Sequence, residues 1–77
     1  MDREDILKEI KNIFKSVLNN DSIQLTFEST AIDIEGWDSI THIMLVVEIE
    51  KKFKKRFKAR EIQSWQTIGD IVNSLSK

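Results

Sequence analysis

Ile6, Leu7, Ile10, Ile13, Phe14, Val17 and Leu18 recur at intervals of three and four, the stripe of an amphipathic helix running from Asp2 to about Leu18. Asp2, Glu4 and Asp5 fall in its first turn, where the positive end of the helix dipole favours carboxylates. Asn19-Asn20-Asp21 then breaks the period with turn-forming residues. Over 20–38 no period is sustained. Ile23, Leu25, Phe27, Ile32 and Ile34 follow at intervals of about two, but Asp21, Ser22, Glu28, Ser29 and Thr30 interrupt any strand ladder. The segment is expected to be a long loop whose apolar side chains pin it across the ends of the helices.

Asp38 is a good N-cap for a second helix from about Ser39 to Phe53. Ile40, Ile43, Val47 and the aliphatic stem of Glu50 fall on one side of it, and Met44, Leu45 and Val46 widen the apolar face. A helix apolar nearly all round is either more than half buried or exposes a patch that something binds. Lys54 to Lys58 read as a solvated turn with Phe53 and Phe57 tucked in, and Ala59 to Ser64 as one short helical turn. Thr67 caps a last helix with Asp70 as its capping-box partner, and Ile68, Ile71, Val72 and Leu75 form that helix's buried stripe. The expected fold is all-α: a small four-helix bundle of three main helices and one short turn, with a long loop between the first two.

Seventy-seven residues without cysteine fit one domain, 1–77, with a small core and no disulfide to reinforce it. So short a chain has little room to surround a substrate with catalytic groups, which favours a binding, scaffold or carrier module over an enzyme. No secretion signal is evident, and the run Ile43 to Val47 is far below the roughly 20 residues of a membrane span. A soluble, cytoplasmic protein that does not engage a membrane is expected. The net charge of −1 argues against a dedicated nucleic-acid binder. Charge is nonetheless uneven, with a basic block from Lys51 to Arg60 and acidic residues mostly before Ser39. Phe53 and Phe57 interleave that block at a spacing that also fits a helix end, where cations match the dipole.

The chemistry centres on Gly36-Trp37-Asp38-Ser39-Ile40, a polar turn delivering one serine to the start of an apolar helix. Taken alone, Asp38 and Ser39 need be no more than capping residues. Ser39 with His42, one turn on, would make a nucleophile and base, but no orienting acid, oxyanion donors or hydrolase elbow pattern accompany them. Asp33, Glu35, Asp38 and His42 match no calcium-loop or zinc spacing, so no metal site is expected.

Asp38-Ser39-Ile40 followed by Leu45, Ile49-Glu50 and Phe53, with Ile62 and the closing Trp65-Gln66-Thr67-Ile68-Gly69-Asp70-Ile71, resembles the acyl carrier protein family over nearly the whole chain. The resemblance implies that Ser39 carries 4′-phosphopantetheine, placed there from coenzyme A by a separate phosphopantetheinyl transferase with Mg²⁺. Asp38 would help orient that metal in the transferase complex, and the free N–H groups of the helix start would favour the new phosphodiester. Gly36, Trp37 and Asp38 would complete the attachment turn, Trp37 either contacting the arm or a partner or anchoring a loop. Ile40, Thr41, His42, Ile43, Met44, Val47 and Glu48 would face partner enzymes: the transferase, an acyl- or aminoacyl-loading ligase, and a downstream transferase or synthase. A monomer is expected.

Fatty-acid-synthesis carriers resembling this chain present carboxylates along the second helix. Thr41, Met44, Lys51 and Lys52 occupy positions of such a face here, leaving Glu48 and Glu50. Because complementary charge selects partners, this departure points to a specialised, free-standing carrier for a dedicated pathway. The alternative is a carrier-like interaction module that is never modified and binds another protein through the apolar face around Met44.

Overall fold

The computed structural model describes residues 2–76. Four helices follow in order: α1 (Arg3–Val17), α2 (Ser39–Phe53), α3 (Ala59–Ser64) and α4 (Ile68–Ser76). Asp2 caps α1, its carboxylate accepting from the Asp5 N–H at 2.9 Å. α1 packs against both α2 and α4 and drives Ile6, Ile10 and Phe14 into the interior. There they meet Leu45, Val46 and Ile49 of α2 and Ile68, Ile71, Val72 and Leu75 of α4. The arrangement is the expected all-helical bundle with a long first connection and a short third helix.

α2 packs through one of its two apolar sides and leaves the other, the one expected to meet partners, in solvent. Leu45, Val46 and Ile49 are buried, while Ile40, Ile43, Met44 and Val47 are 74, 65, 49 and 43 % exposed. Residues 45, 46, 49 and 53 share one side of a helix, and 40, 43, 44 and 47 share another. Both sides are apolar, so periodicity alone does not say which one packs. Glu50 is half buried, but its carboxylate does the work: it accepts from the Phe57 N–H at 2.9 Å and holds the turn after α2. Lys54 ends the helix in the left-handed conformation, φ 53°, and Phe53 and Phe57 pack against the core as expected.

The loop between α1 and α2 is tied down by side chains and by main chain. Ile23, Leu25 and Ile34 are buried and Phe27 is partly so. Ile32, expected to help, is instead 97 % exposed. It lies in a tight turn where the Asp33 N–H donates to the Thr30 carbonyl at 3.0 Å and the Asp33 carboxylate accepts from the Thr30 N–H at 3.0 Å, which throws the intervening side chain outward.

The loop also closes the start of α4. Helix N-termini leave N–H groups without intrahelical acceptors. Here the Ile68 N–H donates to the Ser29 carbonyl at 2.9 Å and the Gly69 N–H to the Phe27 carbonyl at 2.7 Å, beside an isolated antiparallel bridge between Thr30 and Thr67. Thr67 and Asp70 form the expected reciprocal cap: the Asp70 N–H donates to Thr67 Oγ1 at 3.2 Å, and Asp70 Oδ2 accepts from the Gln66 and Thr67 N–H groups at 2.9 and 3.1 Å. These donors, the Gln66 N–H foremost, hold the Asp70 carboxyl below its ordinary value.

Gly69 has no side chain because the loop leaves no room for one: a Cβ there would lie 2.9 Å from the Phe27 carbonyl oxygen. Alanine's better helix propensity returns at most about 1 kcal/mol, whereas forcing two backbones apart costs about 1–3 kcal/mol. Gly69→Ala is therefore expected to lower stability by up to about 2 kcal/mol in urea denaturation. An unchanged midpoint would show that the loop gives way freely.

Candidate functional site

Gly36, Asp38 and Thr41 build the start of α2. Gly36 adopts φ +92°, a conformation side chains disfavour, and this turns the chain into the cap. Asp38 Oδ1 accepts from the Ile40 and Thr41 N–H groups at 3.0 and 2.9 Å. In return the Asp38 N–H donates to Thr41 Oγ1 at 2.8 Å, and the Thr41 hydroxyl donates back to the Gly36 carbonyl at 2.7 Å. Thr41, expected on the partner face, is thereby committed to the cap. The Thr41 N–H is the chief reason that the Asp38 carboxyl lies below its ordinary value, with its hydroxyl and the Ile40 N–H adding to it.

Ser39, the first residue of α2, is exposed, and among the described residues its hydroxyl has no hydrogen-bond partner. The helix start differs from expectation in one respect. The Ile40 and Thr41 N–H groups are already taken by Asp38, so what a phosphate on Ser39 meets is the helix dipole rather than a row of open donors.

Trp37 is buried, its ring edge-on to Phe14 with centroids 5.0 Å apart, and its indole N–H donates to His42 Nδ1 at 3.0 Å. Of the roles open to it in the sequence, anchoring the loop is one the structure gives it. His42, expected on the outward face, is half buried between Trp37 and Trp65, whose centroids lie 6.0 and 6.2 Å from its own. An indole N–H only donates, so the Nδ1 facing it is the bare nitrogen and the neutral ring carries its proton on Nε2. That assignment leaves His42 no lone pair with which to act as base toward Ser39.

Trp65 completes this wall, its N–H donating to Ser74 Oγ at 2.9 Å and its ring lying edge-on to Phe57 at 4.9 Å. The sequence alone did not pair His42 with Trp37. An open cleft of about 560 Å³ lies between α2 and α3, lined by Trp37, Ser39, His42, Ile43, Ile62 and Trp65. Its size is within the range of small-molecule sites.

Away from the cleft, Ile40, Ile43, Met44 and Val47 give α2 an exposed apolar stripe. Glu48 lies 3.8 Å from Lys51 across its surface, and Lys52 pairs with Glu9 of α1 at 2.8 Å. Asp33 is engaged with Thr30, and no cluster of three or more His, Cys, Asp or Glu suited to a metal occurs among the described residues. No helix among them is long and apolar enough to cross a membrane.

The family model described as the phosphopantetheine attachment site matches residues 8–75. An acyl carrier protein of Thermotoga maritima is 33 % identical over 75 residues, covering 97 % of this chain and 93 % of the relative. One of Coprothermobacter proteolyticus is 30 % identical over 73 residues, covering 95 and 89 %. The chain belongs to the acyl carrier protein family. The solution structure of a holo acyl carrier protein from Geobacter metallireducens shares the fold at a TM-score of 0.84 and 37 % identity, over 91 % of this chain and 80 % of that one. Membership implies a covalently attached 4′-phosphopantetheine. Acyl carrier proteins are carriers rather than catalysts, and work with a phosphopantetheinyl transferase and with biosynthetic enzymes.

The cap that holds Ser39 in this carrier depends on pH. Asp38 binds its proton less readily folded than unfolded, so its stabilisation is full above the ordinary carboxylate value, about 3.9, and is lost as pH falls through the lower folded value. Thermal midpoints should therefore drop as pH falls below the ordinary carboxylate value, and drop less in Asp38→Asn, whose amide oxygen still caps but does not titrate. Parallel curves for the two proteins would show that Asp38 takes no part in acid lability.

Proposed function

We propose that Ser39 is the attachment point and that the chain carries acyl or aminoacyl groups as thioesters on its arm, for enzymes of a dedicated biosynthetic pathway. The observation supporting this most directly is the exposed, unpartnered Ser39 hydroxyl, set by a rigid cap at the mouth of a cleft. The residues fit a long covalent group: Ser39 offers a free oxygen, and Gly36, Trp37 and Asp38 hold the turn without enclosing it. When bound, the arm supplies a thiol that holds cargo as a thioester. Ser39 Oγ bonds to the phosphorus bearing pantetheine in coenzyme A, gives up its proton, and the nucleotide part leaves on its phosphate.

The exposed face of α2 supports the dedicated-pathway reading. Ile40, Ile43, Met44 and Val47 present an apolar strip, Glu48 is shared with Lys51, and the end of the helix leads into Lys54, Arg56, Lys58 and Arg60. Such a surface selects partners by apolar fit and by tolerance of positive charge rather than by an acidic helix. A loading ligase and a downstream transferase or synthase with matching faces, meeting a monomeric carrier in the cytoplasm, complete the reading. The same strip also suits the second reading, an unmodified module that binds a protein through α2.

Incubation with coenzyme A, Mg²⁺ and a permissive phosphopantetheinyl transferase is expected to add the mass of one phosphopantetheine. Ser39→Ala should gain nothing while keeping its helical circular dichroism. Failure of several transferases to modify the folded protein would move the assignment to the unmodified module.

A further inference from the structure

His42 is a part-buried polar residue in the cleft that the fold alone does not fully use. Its Nδ1 is taken by the Trp37 N–H at 3.0 Å, which leaves Nε2 as the protonated nitrogen. No acceptor for that N–H occurs among the described residues, nor is any buried side-chain nitrogen or oxygen there left without a partner. Nε2 is therefore open to solvent, and the cleft is the space His42 lines together with Ser39. Residues three apart on a helix are neighbours, about 5–6 Å between Cβ atoms. A donor of fixed tautomer thus sits one turn from the Ser39 hydroxyl, against the wall made by Trp37 and Trp65.

Resting on the assignment of Ser39 as the attachment point, we propose that His42 is a positioning residue for the prosthetic arm: its Nε2–H donates to an oxygen of the arm's proximal part and lays that part in the cleft against Trp65. This helix start has use for such a donor, because Asp38 has taken the Ile40 and Thr41 N–H groups that a phosphate would otherwise reach. The Trp37 bond matters for the same reason, since it keeps the proton on the ring nitrogen left free to donate. Ile43 and Ile62, which also line the cleft, offer apolar contact to the arm's geminal methyl groups.

The test uses the whole ¹⁵N-labelled chain before and after modification with coenzyme A, loading being verified by intact mass. In the holo form the His42 Nε2–H resonance should become protected from solvent exchange relative to the apo form, and its nitrogen shift should keep the Nε2-protonated tautomer. Nuclear Overhauser contacts should join the arm's geminal methyls to the Trp65 ring. A fully loaded protein whose His42 exchanges as in the apo form, with no such contacts, overturns the role of His42 and leaves Ser39 standing. A folded protein that gains no mass, or gains it equally as Ser39→Ala, overturns the attachment assignment and this proposal with it. His42→Phe, which keeps a ring but no donor, should lose the arm's contacts to Trp65 in the fraction that intact mass shows to be loaded, whereas contacts kept in that fraction overturn the role of His42.

Discussion

The indole of Trp37 is held from two directions, by the ring of Phe14 in the core and by the imidazole of His42 on α2. Buried aromatic pairs of this edge-on kind add about 0.5–1.5 kcal/mol beyond the area they remove from water. Their larger effect here is geometric. Phe14 belongs to α1, Trp37 to the turn before α2 and His42 to α2 itself, so one side chain ties the first helix to the beginning of the second. The Gly36 turn, the Asp38–Thr41 cap and the place of Ser39 are all set by where that indole sits. An enclosed indole also needs an acceptor for its N–H, and meeting that need is what selects the tautomer of the neutral His42 ring.

A bundle this small cannot leave its helix ends open. Among the described residues its core contains fifteen buried apolar residues, and a chain without cysteine has no disulfide to reinforce them. Polar groups at the ends are accordingly matched one by one: Asp2 for α1, Asp38 and Thr41 for α2, and the loop with Thr67 and Asp70 for α4. The Arg3 guanidinium, which donates to Asn73 and lies 4.9 Å over the Phe27 ring, joins the start of α1 to α4 and to the loop. By comparison the surface pair of Lys52 with Glu9 is a small contribution, as exposed ion pairs are.

Much of this was legible in the residues because helix ends are written locally. Asp38 and the Thr67–Asp70 pair mark two helix starts by side chains that reach no further than the first turn, and α2 and α3 span the residues that pattern indicated. α1 is shorter by one residue at each end than its apolar stripe, since Asp2 and Leu18 serve as caps. What local chemistry does not encode is direction. α2 is apolar on both sides, and only the packing of α1 decides that Leu45, Val46 and Ile49 turn inward. Ile32 looked like a core residue until its turn was closed by Asp33. At the candidate site the serine, its cap and its turn were visible in sequence; the inward His42 and its bond to Trp37 were not, because they depend on how the Gly36 turn folds one ring onto the other.

The bonds from Ile68 and Gly69 to the loop carbonyls change what kind of object the loop is. A connection fastened only by side chains can lift away while the helices stay formed. This one shares its main-chain hydrogen bonds with α4, so lifting it uncovers the first turn of that helix, and fraying the helix releases the loop. The two open as one unit, and their amide protons exchange with a common opening free energy rather than with the low one usual for surface connections. The long linker is therefore part of the cooperative core, and the freedom this carrier needs to present cargo belongs to the arm rather than to the chain.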